Sequence, residues 1–260
     1  MLGKFSLILA LLVAATSAYP STYDNALIGY SDAVEMFLQA WQKIIPCGYA
    51  AGNLPVLAPL TVDFQAFNYS NGNTNLVGNV SNIRISGLNN FQILSGGYND
   101  STNRAHFDVI FPQLQILGAY ELEGNLSVGG LPLPIRQNVL INKKLIDWRF
   151  VGEYTFAQSA NNSNGLQISD FDLKYFVAGV KVDNWDKYLD VAANNFVNNF
   201  IESFSLLFAE EIQPYVNTLF ATYSLPAIND LLSGLSLTEL TDFFVMQAEL
   251  WNMADCQVKA

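Results

Sequence analysis

Between residues 183 and 223 apolar side chains return at the interval of an α-helix: Trp185, Leu189, Ala192, Phe196, Phe200, Phe204, Leu207, Phe208, Ile212, Tyr215, Val216, Leu219 and Phe220. The spacing predicts one long helix of about 60 Å if unbroken. Asp183 caps its start, and Pro214 bends it beside Gln213 by removing a ladder hydrogen bond. Asn194, Asn195, Asn198 and Asn199 make up its polar face, and because Asn is a poor helix former the segment depends on tertiary packing. Phe196, Phe200, Phe204 and Phe208 recur at i, i+4 and call for a concave apolar partner.

The rest of the chain supplies such a partner in strands. After a first amphipathic helix over 24–45, stopped by Pro46 and Gly48, the period changes from Leu54 onward: Leu60, Val62, Phe64 and Ala66 alternate with polar residues. Asn71-Gly72 reads as a hairpin turn, Leu76–Leu88 as a second strand, and Phe91–Leu94 as a third ending in a turn at Gly96-Gly97. The alternation Phe107, Val109, Phe111 slips phase at Pro112, as at a bulge, and continues through Leu114, Ile116, Tyr120 and Leu122. Residues 137–157 alternate on even numbers (Trp148, Phe150, Gly152, Tyr154, Phe156), and after a turn at Asn161–Gly165 another strand slips near Asp170. Pro226 and Gly234 bracket a short helix, and Ser236 with Glu239 forms a capping box for a last one. The predicted class is α+β, an elongated single domain in which a strongly curved antiparallel sheet wraps a long kinked helix.

Lys4 followed by an apolar run from Phe5 to Ala15 and by Thr16-Ser17-Ala18 reads as a secretory signal peptide over 1–18, leaving one domain over 19–260 and a secreted, extracellular product. Losing Lys4 takes the formal net charge from −11 to −12, which repels phosphate backbones and argues against nucleic acid partners. No later stretch has the apolar length for membrane insertion. With 51 % hydrophobic and only 13 % charged residues, the chain has more apolar surface than a minimal core needs. In an oxidising compartment Cys47 and Cys256 are expected to join in one disulfide, with free or intermolecular thiols as the alternative. Sequons at Asn68, Asn79, Asn99, Asn125 and Asn161 fit the same compartment as glycosylation sites.

Catalytic chemistry finds no footing. The single His106 lies on the polar phase of a strand, so no histidine triad or histidine metal cluster can be assembled, and no metal or cofactor is expected. Ser127 has the wrong spacing for a nucleophile elbow and completes a sequon. Glu210-Glu211 and Asp170 with Asp172 read as solvated faces, and no phosphate-cradling glycine loop is present. The protein is not expected to be an enzyme.

Several stretches carry a resemblance: Ala58-Pro59-Leu60-Thr61-Val62; the run from Asn75 to Leu88; Leu114 to Gly124 followed by Leu133-Pro134-Ile135; Asp183-Asn184-Trp185; and Glu211-Ile212-Gln213-Pro214. In order and spacing, over roughly residues 23–230, they resemble the insect haemolymph juvenile-hormone-binding and takeout family. Cys47 stands alone where that family carries a close cysteine pair, and Gln137-Asn138 replace a glycine that often follows its Pro-Ile motif. The resemblance implies a tubular lipid-binding fold with an elongated apolar tunnel, and a secreted carrier of a small hydrophobic ligand such as a terpenoid or fatty acid. Candidate tunnel walls are Phe64, Val109, Phe111, Tyr120, Trp148, Phe150, Tyr154, Phe196, Phe200 and Phe204. A second expectation is a structural or surface-active protein that uses the same fold without a stored ligand.

Overall fold

The computed structural model describes residues 28–71, 74–128, 131–183 and 191–256; the expected leader at 1–18 and the residues Trp185 and Leu189 lie outside them. In chain order run helix α1 (Tyr30–Ile44), strands β1 (Leu60–Asn71), β2 (Thr74–Ser86), β3 (Gln92–Asn99), β4 (Arg104–Val128), β5 (Leu131–Gln158) and β6 (Leu166–Val182), then helices α2 (Val191–Tyr223), α3 (Leu225–Leu232) and α4 (Leu237–Met253). All strand pairs are antiparallel, in the order β1-β2-β4-β5-β6, with β3 on the lower half of β4. β1 and β6 end this order and pair with no further strand among the described residues, so the curved sheet is not closed into a barrel. One expected turn is absent: Gly96 and Gly97 sit inside β3, opposite Phe107 and His106. A Cβ on Gly97 would lie 2.7 Å from the His106 ring, so glycine here makes room for a cross-strand neighbour rather than a reversal. The chain turns instead at 100–103.

The sheet bends along a line that crosses three strands. Phe111, Trp148 and Val177 stand in one row, and Leu114, Leu145 and Val180 in another. Directly paired residues share a face, and the numbering skips from odd to even on β4 and from even to odd on β5. The register passes over Pro112, Asp147 and Ala178 at that level, and Asp147 takes a left-handed backbone with φ 47°. Each strand thus slips one residue at the same height, which re-aims its apolar side chains onto the same concave face. A second irregularity lies between Ser81 and Arg84 on β2, where Asn82 has φ 50°. The expected slip near Asp170 is a bulge in which Thr155 pairs with Asp170 and Phe156 with Ile168.

Helices α1 and α4 cover the lower half of the concave face. Phe37, Trp41 and Ile44 of α1 bury against Phe243, Ala248 and Trp251 of α4, with Phe91, Val109 and Phe111 beneath them. Ser236 caps α4 as expected: its backbone N–H donates to Glu239 Oε2 at 2.8 Å and its Oγ accepts from the Glu239 N–H. The Ser236 backbone N–H and hydroxyl, both donating to Glu239 Oε2, hold the Glu239 carboxyl below the usual range. Cys47, just past α1, is disulfide-bonded to Cys256, just past α4, across a sequence separation of 209.

On the convex face Arg149 grips Asp108 with two bonds, Nε to Oδ1 at 2.7 Å and Nη2 to Oδ2 at 2.5 Å. The Asp108 side chain is only 12 % exposed, and the Arg149 hydrogen bonds hold its carboxyl below the ordinary value. A depressed folded pKa contributes stability that is present above the unfolded value of about 3.9 and lost as pH falls through the folded one. A urea-midpoint series from neutral to acid pH is therefore expected to show an acid limb. Asp108→Asn is expected to flatten part of that limb while lowering the neutral plateau, and unchanged acid sensitivity would remove Asp108 from the account.

Helix α2 lies along the β6 edge and satisfies it with side chains. Glu202 accepts from Val182 N at 2.9 Å, Gln213 accepts from Tyr175 N at 2.9 Å and donates to Leu173 O at 3.1 Å, and Asn217 accepts from Leu173 N at 2.8 Å. Asn229 of α3 treats Ile168 in the same way. An open edge is a template for unwanted pairing, and these amides blunt it. Gln213→Leu is expected to cost roughly 1–3 kcal/mol by orphaning two backbone groups. Faster hydrogen exchange at the Tyr175 amide is the sign to look for.

These contacts also set the rotation of α2, and here the structure corrects the sequence reading. Asn198, Glu202, Gln213 and Asn217 share one helical face, so that face meets the sheet. Asn194 and Asn198 are half-buried, whereas Phe196 is 72 % and Phe200 61 % exposed. Part of the expected polar face, Asn194 and Asn198, is turned inward while Asn195 and Asn199 stay exposed, and part of the expected aromatic stripe is turned outward, because hydrogen bonds to the sheet edge outweigh apolar spacing in orienting this helix.

Candidate functional site

The concave face carries the aromatic side chains that β4, β5 and β6 aim inward. Ring centroids run from Phe91 to Phe111 at 5.9 Å, Phe111 to Trp148 at 6.2 Å, Trp148 to Phe150 at 4.6 Å and Phe150 to Tyr175 at 6.4 Å. This is a continuous apolar pavement across three strands, with Phe91 just ahead of β3 at its end, at separations favourable for offset and edge contacts. Beyond the bend it continues through Leu114, Val180, Ile83 and Val80, all buried. Tyr120, between Val80 and Val139, is half-buried, and burial raises its phenol pKa.

Of the expected wall residues, Val109, Phe111, Tyr120, Trp148, Phe150 and Tyr154 share this face. Tyr154 sits at its lower limit, where its hydroxyl lies 2.8 Å from that of Tyr30 on α1. Burial pushes both phenols up, so the pair is neutral and closes the lower end as core. Phe64 is placed elsewhere: Gln65 is opposite Val80 and shares its face, which leaves Phe64, opposite Ser81 and 63 % exposed, on the other. Its alternation with Val62 misleads because β1 slips beside the Asn82 bulge. Phe196 and Phe200 face away from the β6 contacts, and the Phe204 side chain lies outside the described ones.

Two further polar groups interrupt the apolar surface. Trp148 Nε1 is buried with no hydrogen-bond partner among the described residues. Lys143, opposite Ile116 and Val182, stands on the concave face as well, and burial lowers its pKa. Sequence reasoning passes over Lys143, because extending the even-numbered alternation of Trp148 and Phe150 back along β5 turns it outward. Only the slip at Asp147 brings it in.

Of the remaining candidates, His106, Asp170 and Asp172 lie on the outside. His106 is exposed, and Asp172 is engaged by Lys174 at 3.5 Å and Asn217 at 2.8 Å. Asn99 is the exposed last residue of β3 and Asn161 lies in an exposed bend, while Asn68, Asn79 and Asn125 lie within strands. Asn79 donates to Glu121 Oε2 at 3.0 Å. A cleft of about 250 Å³ near Tyr98, Phe156, Asn164 and Leu237 falls short of the 300–1,000 Å³ usual for small-molecule pockets.

A curved antiparallel sheet with a long helix along it and an aromatic concave face defines the class: a fold organised around an apolar concave surface. The chain belongs to the haemolymph juvenile hormone binding protein family, whose model matches residues 6–242. Among solved structures it is similar to the crystal structure of Epiphyas postvittana Takeout 1, at 16 % identity and a TM-score of 0.50, covering 79 % of this chain and 92 % of that one. No curated protein sequence matches this chain.

Proposed function

We propose that this protein is a secreted carrier that holds a small hydrophobic molecule against the concave face, with Val109, Phe111, Tyr120, Trp148 and Phe150 as its walls. The observation that carries the reading is the aromatic pavement, which runs on past the part of the sheet that α1 and α4 bury. Family membership supports it. A ligand burying about 400 Å² of apolar surface would gain up to about 10 kcal/mol before ordering costs, enough for micromolar or tighter binding. Asn99, exposed at the end of β3, and Asn161, in an exposed bend, are the proposed glycan acceptors.

Native mass spectrometry of the protein as secreted, followed by organic extraction, tests this. A discrete apolar molecule in near-stoichiometric amount is the expected result. A second reading has its own observation: Phe64, Leu140, Phe176, Phe196 and Phe200 are all more than half exposed, as a protein working at an air–water or cuticle interface would present them. Absence of cargo, failure to take up terpenoids or fatty acids, and a steep rise in surface pressure would favour it over the carrier.

A further inference from the structure

Lys143 is a cation placed where the fold gives it nothing to neutralise. On β5 it stands between Ile116 and the buried Val182 on the apolar concave face, and no hydrogen bond or ion pair reaches its ammonium among the described residues. Glu202, whose carboxylate reaches the neighbouring Val182, is spent elsewhere, bonded to Val182 N and Lys181 Nζ. Burying a charge without a partner is costly, so such a group is expected to have one at some stage of the protein's work. The burial that lowers its pKa agrees with this placement. Farther along the same strand and face, roughly 16 Å at the strand rise, Trp148 Nε1 is a second donor without an acceptor among the described residues.

Resting on the carrier reading, we infer that the cargo is an amphiphile with a carboxylate head, which pairs with the Lys143 ammonium while its hydrocarbon chain lies over Leu114 and Leu145 toward Trp148 and Phe150. A carboxylate supplies the missing counter-charge and accepts the ammonium's hydrogen bonds, and the apolar walls on either side exclude the water that would screen the pair. A hydroxyl or keto oxygen along the chain is the group that Trp148 Nε1 is placed to meet. An ester or alcohol of the same length would fill the same walls and leave the ammonium unpaired.

Palmitic acid, methyl palmitate and hexadecanol, compared by displacement of a fluorescent apolar probe from the full-length secreted protein, test the inference. The acid is expected to bind about tenfold tighter than the ester, the worth of one charge-assisted bond. In Lys143→Met the acid-to-ester ratio is expected to fall to about one, and in Lys143→Arg to be kept. Equal binding of acid and ester by the unaltered protein, or a ratio unmoved by Lys143→Met, overturns the carboxylate assignment and leaves the carrier standing. Failure of all three compounds to bind overturns both.

Discussion

Replacing Cys47 and Cys256 by serine is expected to lower the unfolding free energy by about 5 kcal/mol, since the bond closes a loop with a sequence separation of 209 and the entropy removed from the unfolded chain grows with loop length. The position of the tie magnifies the consequence. It joins the end of α1 to the end of α4, the two helices that cover the lower half of the concave face. Without it α4 and the chain beyond can separate from the sheet as a unit, and the lower end of the apolar surface opens. Urea unfolding of the double variant, beside the oxidised protein, measures the loss. A shift under about 1 kcal/mol would mean that the unfolded chain is already compact enough for the tether to matter little. Non-reducing electrophoresis of the unaltered protein is expected to show a monomer.

Phe37→Ala is expected to cost about 3–5 kcal/mol, the range for deleting a fully packed aromatic side chain. Phe37 is 3 % exposed, and its ring contacts Phe244 and Trp251 at centroid distances of 4.9 Å each and Phe243 at 6.4 Å. Removing it leaves a cavity between α1 and α4 that neither helix can close, because the disulfide and the sheet hold both. Thermal unfolding followed by tryptophan fluorescence reports on Trp251 at that contact. Combining Phe37→Ala with the cysteine substitutions is expected to cost less than the sum, since both act on the same helix pair. Strict additivity would show that the two elements do not open together.

Much of this arrangement is legible along the chain. The slip at Pro112 is visible as a change from Phe111 to Leu114, because proline cannot donate to the ladder. The slip at Asp170, the short helix after Pro226 and the capping box at Ser236 are likewise local chemistry. The slip at Asp147 is hidden, since neither Ile146 nor Trp148 breaks an apolar run, and with it the inward turn of Lys143 is hidden too. Gly96-Gly97 reads as a turn until the neighbouring strand places His106 across it. The rotation of α2 is illegible for another reason: Asn and Gln look like a solvent face, and only a sheet edge with unpaired backbone groups makes them the inward one.

The sequence by itself determined the class of the fold, an antiparallel sheet with a long helix, because the periods of 2 and 3.6 follow from backbone geometry and need no partner to be read. It also pointed to most of the aromatic residues on the concave face and to the cysteine pair. The tertiary structure alone decided which way Phe64, Phe196, Phe200 and Lys143 face. Those directions depend on bulges aligned across neighbouring strands and on hydrogen bonds to a distant edge, and no stretch of chain contains both halves of such an interaction.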